Sequence, residues 1–239
     1  MSRTFLMANW RYLAMINFEV DPSILRSHVP RGTTLDEQDG RHFVSLVAFL
    51  FLDTHLLTAP AFFHQNFEEV NLRFYVRRMM GRESRQGVVF IREMVPLPLV
   101  AAVAKLTYNE PYRTVPMEHT IVDTDGELQS VEYLFGALPD RCRLTVHVAG
   151  SPRAIDRGSE EEFLSHRSWG YTRQRDGGTI EYAVDHPRWR VWPNVRYELH
   201  GPLEEFYEQP FASILKGSSV SAFVADGSAV SVHMPERIA

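Results

Sequence analysis

One segment of the chain, Glu69–Arg77, alternates between polar and apolar side chains without interruption. This period of two is typical of a β-strand that buries one face of its sheet. The face predicted to be buried carries Val70, Leu72, Phe74 and Val76. The opposite face carries Glu69, Asn71, Arg73, Tyr75 and Arg77. The chain must therefore fold around a sheet, and its function depends on what surrounds the polar face.

Two interpretations of that polar face are open. If the sheet curves around a cavity, Glu69, Asn71, Arg73 and Tyr75 form a ladder that can hold a small carboxylate or carbonyl compound. The Arg73 guanidinium would then bind the anion and Glu69 would act as the acid or base. Taken alone, the pattern favours the alternative, a solvated face with cross-strand ion pairs.

The remaining segments predict more strands than helices. Gly87–Glu93 is the expected antiparallel partner of the first strand. Further strand-like runs are Tyr12–Glu19, His42–Phe51, Glu118–Asp123, Leu128–Phe135, Arg143–Ala149, Tyr171–Arg175, Thr179–Val184, Arg188–Leu199 and Ser219–Met234. Asp21, Pro96 with Pro98, and Ser159 mark the starts of short helices, and Thr58–Asn66 is expected to be a loop. The prediction is one α+β domain over residues 1–239, built on a strongly curved antiparallel sheet or cone.

Composition excludes several classes of function. The net charge is −5 and the arginines are spread along the chain, which argues against nucleic-acid binding. The longest apolar runs fall short of the ~20 residues that a membrane span needs. The single cysteine, Cys142, fits a reducing compartment, so a cytoplasmic location is expected. No motif for a metal, a nucleotide or a serine nucleophile is present, so neither metal nor cofactor is predicted.

Lys105 is one of only two lysines among 25 basic residues, and it follows an uncharged, mostly apolar run. Burial would lower the pKa of its amine and make it available as a nucleophile, as in Schiff-base enzymes. The alternative is that the stem packs on the core while the ammonium reaches water. The second interpretation is favoured, although Lys105 with Glu110, Tyr112 and Arg113 still forms a candidate cluster.

A third candidate is the segment His186–Trp189, whose aromatic rings could stack on a planar group. Arginines follow the tryptophan closely, which would add cation–π contacts to such a site. Interior aromatic rings with arginines packed over them are the more economical interpretation. His186 and Trp189 are kept as candidate substrate-binding residues.

Several of these segments together resemble the YqjF-like family, known as DUF2071 proteins. The matching pieces are Asn17–Pro22, Val29–Gly32, Asp39–Arg41 with Val44–Val47, Phe67–Arg73 with Tyr75–Arg77, Gly87–Phe90, Pro111-Tyr112, Phe163-Leu164 with Arg167, and His186-Pro187 with Trp189. Their order and spacing carry the resemblance, which extends roughly from Trp10 to Trp192.

This resemblance implies a fold similar to acetoacetate decarboxylase, a cone that encloses a pocket. It therefore implies that the polar face of Glu69–Tyr75 lines a lumen. In acetoacetate decarboxylase a Schiff-base lysine directly follows the proline of a turn, whereas here Tyr112 follows Pro111 and Lys105 stands earlier. Schiff-base decarboxylation is therefore not expected, and only the strand glutamate, Glu69, carries over.

Two functional hypotheses follow. The first is a pocket protein, a lyase or other carbonyl-processing enzyme, that acts on a small organic acid or carbonyl compound. Its acid–base residues would be Glu69 and Tyr112, and its substrate-binding residues Asn71, Arg73, Tyr75, Lys105, His186 and Trp189. The second is a non-catalytic binding or interaction protein on the same fold, for which Glu69 and Arg73 would simply pair. A pocket with a second titratable group beside Glu69 favours the first hypothesis. The sequence leaves open whether the chain forms a homo-oligomer.

Overall fold

The computed structural model describes residues 3–56, 59–60, 65–193 and 195–239. Its strands are β1 Thr4–Glu19, β2 Thr34–Leu35, β3 Phe43–Leu56, β4 Ala59–Pro60, β5 Phe67–Met80, β6 Glu83–Val95, β7 Tyr112–Thr114, β8 Met117–Thr124, β9 Glu127–Phe135, β10 Cys142–His147, β11 Arg153–Ala154, β12 Trp169–Arg173, β13 Thr179–Asp185, β14 Arg190–Pro193, β15 Arg196–His200, β16 Ser221–His233 and β17 Glu236–Arg237. The helices are α1 Pro22–Leu25, α2 Pro98–Tyr108, α3 Glu160–Ser165 and α4 Phe211–Leu215, with 3₁₀ turns at Arg26–His28 and Leu203–Glu205. Most of the predicted Thr58–Asn66 loop lies outside the described residues.

The main sheet closes on itself. Its strands follow the order β16, β1, β3, β5, β6, β12 and β13, and β13 pairs again with β16 through Val184 and Val232. The predicted strongly curved sheet is therefore confirmed. The sheet is mixed rather than purely antiparallel, because β6 pairs in parallel with both β7 and β12. Long crossovers allow this: α2 joins β6 to β7, and three strands of a second sheet, β8, β9 and β10, intervene before β12.

The apolar face of β5 packs outward against the second sheet, whose antiparallel order is β15, β10, β9, β8. Leu72 and Phe74 are fully buried in one cluster with Val131 and Leu144 of that sheet. Each such side chain contributes about 1.5–3 kcal/mol relative to an exposed one. This contact holds the strand with its alternate residues facing the inside of the closed sheet.

The polar face of β5 therefore points into the interior of the ring. Glu69, Asn71 and Arg73 are only 3%, 2% and 7% exposed. The apolar side chains beside them, such as Val47, Phe49 and Phe67, form a second cluster inside the ring. The alternative of a solvated polar face is wrong, since the closed sheet and its outer layer bury both faces.

Helix α2 follows the cap signals in the sequence. Pro98 stands at its start, and Asn109 ends it in the left-handed conformation at φ 57°. Ser159 caps α3 by accepting a hydrogen bond from the Glu162 amide at 3.2 Å, as predicted. The single long strand predicted over Arg188–Leu199 is wrong: β14 and β15 belong to different sheets. Among the described residues, no helix is both long and apolar enough to cross a membrane.

Candidate functional site

A cavity of about 260 Å³ lies inside the closed sheet. That volume corresponds to roughly nine water molecules at ~30 Å³ each in the liquid, enough for a small metabolite. Most of its wall is apolar, with contributions from Trp10, Phe49, Phe51, Phe67, Val103 and Trp189. Its polar side chains come chiefly from β5, β6, the segment after α2 and the segment after α3. A largely apolar cavity with a few convergent polar groups is the usual form of a ligand site.

Glu69 is held by two hydrogen bonds inside this cavity. Asn71 Nδ2 donates to Glu69 Oε1 at 2.9 Å, and the Tyr112 hydroxyl donates to Glu69 Oε2 at 2.9 Å. Burial raises the pKa of Glu69 to about 7, although these hydrogen bonds and the nearby Arg73 charge act in the opposite direction. The carboxyl is therefore able to exchange a proton near neutral pH.

Two further carboxyls, Glu93 and Glu110, line the same part of the cavity. Glu93 lies on β6 directly opposite Asn71, and Glu110 follows the end of α2. Glu110 accepts hydrogen bonds from Tyr182 at 2.8 Å and from the Thr172 hydroxyl. Sequence reasoning did not single out Glu93, because a register shift between Leu72 and Arg73, which no local signal announces, brings it opposite Asn71.

The three carboxyls interact strongly. Burial, with the charge of Glu69 acting in the same direction, raises the pKa of Glu110 to about 7. Burial and the negative charges of Glu110 and Glu69 raise the pKa of Glu93 well above its usual range. Glu93 is therefore the carboxyl of the three that keeps its proton most strongly, and both Glu110 and Tyr112 lie close enough to influence it. The site holds protons that a solvated carboxylate would have released.

Replacing Glu110 with glutamine is expected to flatten the pH dependence of stability. The folded protein keeps this proton while the unfolded chain loses it, so the free energy of unfolding falls as pH rises from about 4.5 to about 7. A glutamine side chain still accepts the hydrogen bond from Tyr182, and it has no proton to lose as pH rises. Relative to that of the wild type, the free energy of unfolding of the variant should increase by about 2–3 kcal/mol between about pH 5 and pH 8.

The measurement is urea unfolding followed by circular dichroism at each pH. Glu127→Gln, at an exposed position, is the matched control and should track the wild type. Parallel pH curves for Glu110→Gln and Glu127→Gln would contradict the assignment of a buried, proton-holding carboxyl.

Two arginines supply the positive part of the cavity lining. Arg73 Nη2 donates to the Leu164 carbonyl at 2.9 Å. Arg167 donates to Asp36 Oδ2 at 2.6 Å and to the Phe163 carbonyl at 2.5 Å. Arg73 Nε and Arg167 Nη2 have no hydrogen-bond partner among the described residues. Two buried guanidinium groups with unused donors are suited to bind a carboxylate.

His186 and Trp189 lie in the lining, but they are stacked on one another. Their ring centroids are 4.2 Å apart with an angle of 18° between the planes. Trp189 also donates to the Ser228 hydroxyl at 2.8 Å, which fixes its orientation. Burial lowers the pKa of His186, so this ring is neutral near pH 7. The predicted stacking face of Trp189 is therefore occupied by His186.

Two predicted substrate-binding residues do not reach the cavity. The Tyr75 ring is fully buried beside Phe163, and its hydroxyl lies 2.6 Å from the Ser45 hydroxyl. Lys105 is exposed, because the cavity-facing side of α2 carries Val100, Val103 and Ala104. Successive side chains of an α-helix are turned by about 100° from one another, so the side chain of Lys105 points away from that side. The desolvated-nucleophile interpretation of Lys105 is wrong.

No group of His, Cys, Asp and Glu side chains among the described residues is arranged to hold a metal ion. The glutamate cluster instead accepts hydrogen bonds from tyrosine and threonine hydroxyls. Its chemistry is that of proton transfer and hydrogen bonding.

Comparison with known sequences places these residues in a family. The model of the DUF2071 family, described as an uncharacterized conserved protein, matches residues 7–228. The uncharacterized protein YqjF of Bacillus subtilis (strain 168) is 24% identical over 183 residues, which cover 74% of this chain and 72% of YqjF. The region that the family model matches includes β5, α2 and the segment of His186 and Trp189.

Solved structures show the same fold. Acetoacetate decarboxylase from Legionella pneumophila has a TM-score of 0.66 at 13% identity, covering 98% of this chain and 87% of that chain. The enduracididine biosynthesis enzyme MppR complexed with pyruvate has a TM-score of 0.67 at 13% identity, covering 100% of this chain and 91% of that chain. At these identities the likeness establishes the acetoacetate decarboxylase-like fold and leaves function to the site itself.

Proposed function

We propose that this chain, which belongs to the DUF2071 family, binds a small organic acid and processes it by acid–base chemistry at a carbonyl group. The activity would be that of a lyase or related carbonyl-processing enzyme that works without a Schiff-base lysine. One observation carries the proposal: the buried Glu69, with a pKa raised to about 7, shares a cavity with arginine N–H groups that have no partner.

The arrangement divides the work between two groups of side chains. The carboxylate of the ligand would lie near Arg73 and Arg167, whose free N–H groups donate to it. Glu69 would take a proton from the carbon next to the carbonyl group and return it later. The protonated Glu93 would donate to the carbonyl oxygen as negative charge develops there. Once Glu69 has taken up a proton, the Tyr112 hydroxyl would change partner from Glu69 to that oxygen.

The non-catalytic hypothesis predicts a cavity filled by aromatic rings and a direct Glu69–Arg73 pair. The cavity is open, and Arg73 donates to the Leu164 carbonyl instead of Glu69. Glu69 is paired with neutral partners, Asn71 and Tyr112, and lies beside two further titratable carboxyls. These contacts favour an enzyme over a binding module.

Replacing Arg73 with glutamine is expected to weaken the binding of small organic acids about 10- to 100-fold, since one charge-assisted hydrogen bond is lost. Calorimetric titration with pyruvate, acetoacetate and pentanoate measures the change. Glutamine is preferable to alanine, because Arg73 is buried and its contact with Leu164 also supports the fold.

Arg82→Gln is the matched control, since Arg82 lies exposed in the turn between β5 and β6. It should bind the same acids as the wild type does. Failure of the wild-type protein to bind any of the acids, or equal affinities in the Arg73 variant and the wild type, would refute an anion site at this position.

A further inference from the structure

No cation in the described part of the chain pairs directly with the acidic part of the cavity, although the charge of Arg73 lies near enough to lower the pKa of Glu69. Glu69, Glu93 and Glu110 are 3%, 3% and 4% exposed. Among the described residues, no Lys, Arg or His nitrogen forms an ion pair with any of the three. Burying several carboxyls without a cation is unfavourable unless protons or a ligand compensate for it.

Acceptor atoms in this cluster outnumber the donors. Asn71 Oδ1, Glu93 Oε2 and Glu110 Oε2 have no hydrogen-bond partner among the described residues. The neighbouring hydroxyls of Tyr112 and Tyr182 already donate their single protons to Glu69 and Glu110. A proton kept by the buried carboxyls themselves is the remaining donor when the cavity is empty.

Aromatic rings stand next to these acceptors. Tyr108 and Tyr182 are in edge-to-face contact at 4.8 Å, and both line the cavity with Phe90 and Trp169. Aromatic faces attract a cation that has been removed from water. Unpaired acceptors, buried carboxyls and aromatic walls together form an environment that complements a positively charged nitrogen.

We infer that the ligand carries a cationic nitrogen, which binds among Glu69, Glu93 and Glu110, in addition to a carboxylate at Arg73. An ammonium group offers three N–H donors and no acceptor, which matches the three unpaired oxygens. This inference rests on the proposed function for the carboxylate half and extends it to the substrate class, an amino acid. On binding, the ammonium group would replace the proton on Glu110, and that proton would pass to the buffer, while Glu93 would keep its own.

The separation of the two groups of side chains indicates which amino acids fit. Glu69 and Arg73 are four residues apart on β5, so their Cα atoms are separated by roughly 13 Å. The charge of Arg73 reaches Glu69, but it is not among the main influences on the pKa values of Glu93 and Glu110. These two carboxyls therefore form the end of the polar lining that is further from the guanidinium group. A linear chain with the amine and the carboxylate at opposite ends therefore fits better than an α-amino acid.

The test is calorimetric titration with three matched probes: 5-aminopentanoate, pentanoate and pentylamine. We expect 5-aminopentanoate to bind about tenfold or more tightly than pentanoate, because it adds charge-assisted hydrogen bonds. Repeating the titration near pH 6 in two buffers with different ionisation heats should reveal proton release with the two amines and not with pentanoate.

Glu110→Gln should remove most of the advantage of 5-aminopentanoate, with circular dichroism confirming that the variant is folded. Glu68→Gln is the control, since Glu68 lies next to Glu69 in sequence but contacts His119 instead of the cavity. Equal affinities for 5-aminopentanoate and pentanoate would overturn the inference while leaving the proposed acid site standing. If pentylamine binds and pentanoate does not, the inference is supported and the acid site is refuted. If no probe binds, both are refuted.

Discussion

Glu69→Gln is expected to slow proton exchange on the bound substrate by about 10²- to 10⁴-fold, the usual contribution of a general acid–base residue. Glutamine keeps the size of the side chain and one oxygen that accepts a hydrogen bond from Asn71 or Tyr112, but it cannot take up a proton. The loss would therefore appear in the rate of exchange and far less in the affinity for the acid. No other expected effect on activity is as large.

The measurement uses small keto acids, such as pyruvate and acetoacetate, in deuterated water, with loss of the C–H signal followed by nuclear magnetic resonance. Because the base is the ionised carboxylate, the wild-type rate should rise as pH increases through about 7 and fall below it. Glu68→Gln is the neighbouring control and should behave as the wild type. Wild-type protein that exchanges no keto acid, or a Glu69 variant that exchanges as fast as the wild type, would contradict the proposed chemistry.

Arg167→Met is expected to lower the free energy of unfolding by about 3–5 kcal/mol, because it leaves Asp36 buried without its main partner. Both side chains are only 2% exposed, and Arg167 Nη1 lies 2.6 Å from Asp36 Oδ2. The guanidinium also lies over the Phe163 ring at 4.0 Å. Arg77 is 3.6 Å from Asp36 but is half exposed, so it replaces little of the lost interaction.

Chemical unfolding of Arg167→Met, Asp36→Asn and the double variant measures this coupling. The double variant should be more stable than the sum of the two single losses predicts, since it leaves no unpaired charge. Arg153→Met, which breaks an exposed pair with Glu161, is the control and should cost less than about 1 kcal/mol. If Arg167→Met lowers the free energy of unfolding as little as the control does, the buried pair contributes little to stability.

The fold was largely predictable because its signals are local. The period of two in β5, the proline at the start of α2 and the serine before α3 each predicted the element that the structure shows. The strand over Arg188–Leu199 was mispredicted because the chain leaves one sheet for the other near Pro193. The parallel pairing of β6 with β12 was likewise missed, since it joins segments that no local signal connects.

The candidate site was predictable only in part. Alternation placed Glu69, Asn71 and Arg73 on one face, and the structure places all three in the cavity lining. The same alternation put Tyr75 with them, and its ring does lie in the interior cluster, but it packs against Phe163 and Ser45 outside the cavity lining. Glu93 was missed because it enters the site through the register of β6, and Lys105 was misplaced because its position around α2 depends on how that helix packs.

Sequence alone determined which residues could share a face, since side-chain direction in a strand follows from the covalent geometry of the chain. It also determined that no lysine follows Pro111, which removes Schiff-base chemistry from that position. Only the tertiary structure decided that the polar face of β5 is buried. That outcome depends on the pairing of Val184 with Val232, which closes the sheet, and on the outer sheet that covers Leu72 and Phe74. Burial in turn raises the carboxyl pKa values, because the loss of water depends on every element that surrounds a group and not on its neighbours in sequence.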